Sequence, residues 1–150
     1  METQVVNDKI KEILSKYKTI AMVGVSKDNK KTSAIVMKYM QKYGFKVIPV
    51  NPSAKGQKIL GEEVYDKLED IKIRVDIVDV FRPSVEAFKL AEETVKIGAK
   101  VFWLQLGITS MESKQLLKNS NIEYIDNKCT KMEYQKIFLD INSAFPVLQK

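Results

Sequence analysis

The chain has 150 residues, 45% of them apolar, with no histidine, one cysteine and a formal net charge of +6. That length fits one domain able to bury a sizeable core. The lack of histidine removes Ser–His and Cys–His nucleophiles, phosphohistidine chemistry and the usual zinc sites; the lone Cys129 fits a reducing cytoplasm, and no run of about 18 apolar residues offers a membrane span.

The opening stretch METQVVNDKIKEIL is charged and amphipathic, which is not the pattern of a signal peptide. Val6, Ile10, Ile13 and Leu14 recur at helical spacing over residues 5–17, with Asn7 or Asp8 as the cap. Thr19 leads into an apolar strand, Ile20 to Val23, which breaks at Gly24. A polar loop carrying Lys27, Lys30 and Lys31 follows. Ile35, Val36, Tyr39 and Met40 then mark a helix capped by Thr32 or Ser33 and stopped by Gly44. Residues 45–50 form a second strand. Pro49 donates no ladder bond, so this strand pairs incompletely on one side.

Residues 51–56 are a turn-rich loop, 57–63 are read as irregular, Val64-Tyr65 as a stub of strand and 67–71 as a short helix. Residues 75–81 are a third strand, ended by Arg82-Pro83. Its Asp76 and Asp79 are read on one strand face, at a strand margin or paired with lysines rather than as a catalytic dyad. Ser84 caps a helix through Val85, Phe88, Leu90, Ala91, Thr94 and Val95 to Gly98. Residues 100–106 are a fourth strand, followed by Gly107. Residues 111–118 form a helix beginning near Ser110, residues 122–125 a last short strand, and residues 130–138 a closing helix. The tail 143–150, with Phe145, Pro146, Val147 and Leu148, is read as folding back.

Strands alternate with helices throughout, which predicts an α/β fold. The strands are too apolar for a one-sided sheet. The expectation is a single doubly wound, mainly parallel, five-stranded sheet with helices on both faces, Rossmann-like in type. Residues 1–18 form a leading helix packed on the domain, 19–138 the ligand-binding domain and 139–150 a tail.

In such sheets ligands bind beyond the carboxyl ends of the strands. Those ends are Gly24-Val25-Ser26, Asn51-Pro52, Phe81-Arg82 and Gln105-Leu106-Gly107, and the loops add Lys27, Lys30, Lys31, Thr32, Ser33 and Lys55. Cations outnumber acids on this rim. A helix N-terminus with its unsatisfied N–H groups also favours phosphate, so the rim suits a ligand with several phosphates. The basic excess reads equally as a solvated lysine surface. Nucleic acid fits poorly, because the lysines are scattered and no aromatic-plus-basic module is present. A dinucleotide site wants GxGxxG after the first strand and an acid after the second. Here Ser26 and Asn29 stand at the later glycine positions, and Asn51 and Lys55 follow the second strand. A cation there points to a phosphorylated ribose, which keeps an NADP-dependent reductase or another nucleotide-cofactor enzyme as the alternative, although the missing glycines argue against the usual close pyrophosphate cradle.

The segments IAMVGVS, VIPVNP with Lys55-Gly56, ILGEEVYDKLEDI, VDIVDVFRP, GAKVFWLQLGI and NKCTKMEY together resemble the stand-alone CoA-binding domain proteins of bacteria. These are small Rossmann-like proteins related to the CoA-binding domain of succinyl-CoA synthetase α chains. The resemblance spans about residues 19–138. It implies that Gly24, Val25 and Ser26 wrap the diphosphate of coenzyme A, with the variable loop from Lys27 to Lys30 beside them. It implies that Asn51, Pro52 and Lys55 meet phosphate, that Val80, Phe81 and Arg82 wall the adenosine, and that Gln105, Leu106 and Gly107 lie along the pantetheine. Lysines suit phosphate as point charges. The synthetase also needs a phosphohistidine, so binding carries over and synthetase chemistry does not. The implied protein is a cytoplasmic, non-catalytic carrier or regulatory module for CoA or acyl-CoA, with a protein partner left open.

Plainer readings stand beside these. The loop lysines fit a solvated surface, and Arg82 an ion pair with Asp79 or Glu86. Trp103 fits the core. Cys129 reads as a small buried residue, although a position before a helix start would favour a thiolate able to form a mixed disulfide with CoA.

Overall fold

The protein is described by a computed structural model over residues 2–140. Helix α1 (Glu2–Lys16) leads into strand β1 (Thr19–Val23), helix α2 (Thr32–Lys42) and strand β2 (Lys46–Val50). Two very short strands follow, β3 (Lys58–Ile59) and β4 (Glu62–Glu63). Then come β5 (Ile77–Val80), α3 (Ala87–Ile97), β6 (Val101–Leu104), α4 (Met111–Lys118), β7 (Glu123–Ile125) and α5 (Thr130–Phe138). Five strands pair in parallel in the order β2-β1-β5-β6-β7. Strand alternation sends side chains to opposite faces. Ile20, Met22, Ile77, Val101 and Trp103 bury themselves on the side that also holds buried residues of α1 and α2. Ala21, Val23, Val78, Val80, Phe102 and Leu104 pack on the other side, with Ala87 and Ala91 of α3 and Leu117 of α4. This is the expected Rossmann-like α/β sheet with helices on both faces. No helix among the described residues is long and apolar enough to cross a membrane.

Several local expectations change. Helix α1 begins before Asn7 and Asp8, so neither is its cap. The residue before α2 is Lys31, without a side-chain cap bond, and the Ser33 hydroxyl instead accepts the Ser26 N–H at 3.0 Å. Residues 57–63, expected to be irregular, contain the antiparallel β3–β4 pair. Ser84 opens a 3₁₀ turn rather than capping α3, and its hydroxyl accepts the Thr109 N–H at 3.1 Å. Val85 consequently lies off the helix and is 89% exposed. The tail call at 143–150 lies outside the described residues.

Pro49 sits where its missing donor costs nothing. Lys46 and Val50 bond toward the β1 side (Lys46 N–H to Lys18 O, Gly24 N–H to Val50 O, both 2.8 Å), so the alternate residue Pro49 turns its backbone outward. Its carbonyl accepts the Tyr65 N–H at 3.0 Å, and the Asn51 N–H donates to Tyr65 O at 2.9 Å. The Val64-Tyr65 stub is thus a single bridge lying along β2.

Candidate functional site

From β1 the chain passes to β2 on one side, and it returns through β5 on the other. The carboxyl ends of β1 and β5 therefore form the switch point of the sheet, where a crevice opens. Gly24 sits at its floor with φ +93°, a backbone conformation that L side chains rarely adopt. A Cβ there would lie 2.9 Å from the Phe81 carbonyl oxygen and 2.9 Å from Arg82 Cδ. The crevice widens into an open cleft of about 530 Å³ lined by Gly24, Ser26, Lys27, Asp28, Asn51, Ser53 and Arg82.

The walls are built by short-range hydrogen bonds. The Asp28 N–H donates to Ser26 Oγ (3.0 Å), the Lys30 N–H to Asp28 Oδ1 (2.9 Å) and the Lys31 N–H to the Asp28 carbonyl (3.0 Å). These close the loop between β1 and α2 on itself. Asn51 ties that loop to β2: its Nδ2 donates to Val25 O at 2.8 Å, while its Oδ1 accepts from the N–H (3.0 Å) and hydroxyl (2.8 Å) of Ser53. Opposite, Arg82 makes a bidentate pair with Glu86, Nε to Oε1 at 3.1 Å and Nη2 to Oε2 at 2.7 Å. The hydrogen bond from Arg82 lowers the Glu86 carboxyl below its ordinary range and raises the guanidinium. Of the two partners expected for Arg82, Glu86 is the one found.

Of the residues singled out from sequence, Gly24, Ser26, Lys27, Asn51 and Arg82 come together on the cleft. Lys31 and Thr32 are exposed at the start of α2, whose first N–H groups lack intrahelical acceptors. Pro52 and Lys55 are exposed at the two ends of a 3₁₀ turn and do not line the cleft. Val25 and Val80 are core residues, and Phe81 is half-buried against the core. Leu106 is exposed, and the Gly107 N–H donates to Asn127 Oδ1 at 2.7 Å. Asp28 and Ser53 were missed. The signal was present in the spacing: both lie two residues from a polar side chain able to make a local turn bond.

The neighbouring stretch of rim is closed. Asp79 is fully buried, accepting from the Gln105 amide and, at 3.1 Å, from the Thr130 hydroxyl. Gln105 also donates to Thr130 Oγ1 at 3.1 Å. Burial pushes the Asp79 carboxyl up to about 7, against the pull of those two donors. This corrects the reading of Asp76 and Asp79 as alike: Asp76 pairs with exposed Arg74 (3.3 Å), and a spacing of three along a strand puts them on opposite faces. Gln105 accordingly faces protein rather than the cleft. Trp103 is fully buried, with its Nε1 donating to the Lys128 carbonyl at 2.7 Å. Cys129 is buried too. Burial raises its thiol despite the backbone N–H groups of Met132 and Lys131, so the helix start does not produce a thiolate.

Comparison with known proteins gives a consistent picture. Residues 18–135 match the model of a family described as a CoA binding domain. The chain is 40% identical over 125 residues to the uncharacterized protein YneT of Bacillus subtilis, covering 83% of this chain and 91% of that one. It is 26% identical over 140 residues to an ADP-forming acetate–CoA ligase of Methanocaldococcus jannaschii, covering 88% of this chain but only 19% of the ligase. Among solved structures, a Thermus thermophilus protein, cell-free ID.343, superposes with a TM-score of 0.84 at 34% identity, over 88% of this chain and 98% of that one.

Proposed function

The chain belongs to the CoA binding domain family, and from that premise we propose that it binds coenzyme A or an acyl-CoA, with the ligand's phosphates in the cleft between the ends of β1 and β5. One observation carries the reading. The backbone at Gly24 is stripped of side chain at the switch point, where a Cβ would strike Phe81 and Arg82, and it opens on a cleft bearing Lys27 and Arg82. A bare backbone beside cations suits an approaching diphosphate. In this reading Ser26 and Asn51 shape the phosphate loop. Lys31, Lys55 and the first N–H groups of α2 supply further charge, and Leu106 and Gly107 border the pantetheine arm. The acetate–CoA ligase carries a similar segment as a fifth of its length, which supports a binding module rather than a whole enzyme. The protein then acts as a cytoplasmic carrier or as a regulatory module read by a partner, without chemistry of its own.

The reductase reading keeps one supporting observation, a lysine rather than an acid beyond β2. Against it, Ser26 and Asn29 stand where GxGxxG has its second and third glycines, which does not suit the usual close pyrophosphate cradle of a dinucleotide. Calorimetric titration with CoA and with NADPH separates the two. The expected result is saturable CoA binding and no NADPH binding, with native mass spectrometry identifying any ligand that copurifies. Replacing Lys27, Lys31 and Lys55 together with alanine should weaken CoA binding about tenfold. Unchanged CoA affinity in that variant, or tighter binding of NADPH, would overturn the proposal.

A further inference from the structure

The cleft is less cationic than the chain as a whole. Its two basic side chains, Lys27 and Arg82, stand against two carboxylates, Asp28 on the lining and Glu86 paired to Arg82. The two acids differ in what holds them. Asp28 is fixed in its loop through its side chain, its carbonyl and its N–H. Glu86 is held to the rest of the protein by its backbone, through an N–H donated to Pro83 O at 2.9 Å, and its carboxylate pairs with Arg82 alone among the described residues. Both partners are near half-exposed, 46% for Arg82 and 43% for Glu86. Such a pair is weak and separable. Glu86 also lies at the N-terminal end of α3, where the positive end of the helix dipole continues to favour its charge once Arg82 departs.

We propose that Glu86 is an intramolecular stand-in for a ligand phosphate: it holds the Arg82 guanidinium in bidentate geometry at the cleft wall, and Arg82 is handed over to an incoming phosphate in exchange. A carboxylate and a phosphate offer the guanidinium the same planar pair of acceptor oxygens, so the exchange needs no new geometry at the donor. A carboxylate carries one negative charge, and a phosphate monoester carries nearly two. The swap therefore favours ligands that bring a dianionic group and penalises carboxylates and neutral nucleosides. Glu86 thereby becomes a specificity determinant of the cleft. Sequence gave no hint of this, since Glu86 entered only as a partner that would remove Arg82 from the site.

The inference rests on the CoA reading, and the experiment distinguishes the two failures. The probe is coenzyme A, titrated calorimetrically into the unaltered chain, Glu86→Gln, Glu86→Ala, Arg82→Ala and the Arg82→Ala/Glu86→Gln double variant. Removing a surface pair's competition should tighten CoA binding in both Glu86 variants by up to about fivefold. Arg82→Ala should weaken it, and in that background Glu86→Gln should have no effect, which a merely structural role for Glu86 would not produce. In the unaltered chain, the Arg82 Nε–H resonance should move on saturation with CoA, a readout independent of how the variants fold. Glu86 variants that bind CoA no better than the unaltered chain, or an Nε–H signal unmoved at saturation, overturn the exchange and leave CoA binding standing. No CoA binding by the unaltered chain overturns both.

Discussion

Two neighbouring stretches of one rim behave in opposite ways. Beyond the ends of β1, β2 and β5 the polar side chains build an open cleft, and Lys27 makes no ion pair among the described residues. One strand along, at the end of β6, Gln105 bonds with Asp79 of β5 and Thr130 of α5, and all three leave the surface. Both stretches place polar residues at strand ends. A polar residue at a strand end can serve a ligand only while its hydrogen-bonding capacity is uncommitted or held in an exposed, exchangeable pair such as Arg82–Glu86. Buried polar groups cannot stay uncommitted, because an unpaired one costs about 1–3 kcal/mol.

Three substitutions probe that contrast. The largest effect should come from the closed stretch: Trp103→Ala empties the core beneath it and removes a donor from the Lys128 carbonyl. A loss of about 3–5 kcal/mol in urea denaturation is expected, and a loss below about 1 kcal/mol would mean the closed stretch is not anchored there. Next, Gly24→Ala strikes the open stretch. The left-handed backbone and the contacts with Phe81 and Arg82 should together cost about 2–3 kcal/mol, with loss of CoA binding. A stable variant that still binds would deny the crevice its role.

The smallest effect concerns Asp79. Its carboxyl titrates near 7 when folded and near 3.8 in its ordinary range. Between those values the folded state holds the proton more tightly, so stability should decline as pH rises from about 4 to 7. Asp79→Asn should flatten that decline and gain on the order of 1–2 kcal/mol at pH 8; the gain is partial because the amide has one acceptor oxygen where the carboxyl had two for Gln105 and Thr130. An unchanged pH profile would show that Asp79 is not the titrating group.

The strand–helix alternation was legible because the apolar runs and the stops at Gly44 and Gly98 are local signals. Thr130–Phe138 and Met111–Lys118 emerge with the bounds read from sequence. The β3–β4 pair was not legible, since two-residue strands have no periodicity. The site was half legible. Gly24, Lys27 and Arg82 announce themselves by residue type and place after a strand. Whether Ser33, Asn51 and Gln105 face a ligand depends on partners 7, 26 and 26 residues away, and no local pattern carries that. Asp79 was misread for the same reason: the donors that make its burial tolerable lie on β6's end and α5.

The backbone of Pro49 has a consequence for how copies of this chain meet. The exposed margin of a sheet normally invites a strand from another molecule. Here one margin is sealed by an imino acid and by Tyr65 lying along it, and the other, β7, is three residues long. Ribbon-to-ribbon polymerisation is thereby disfavoured at both borders of the described sheet.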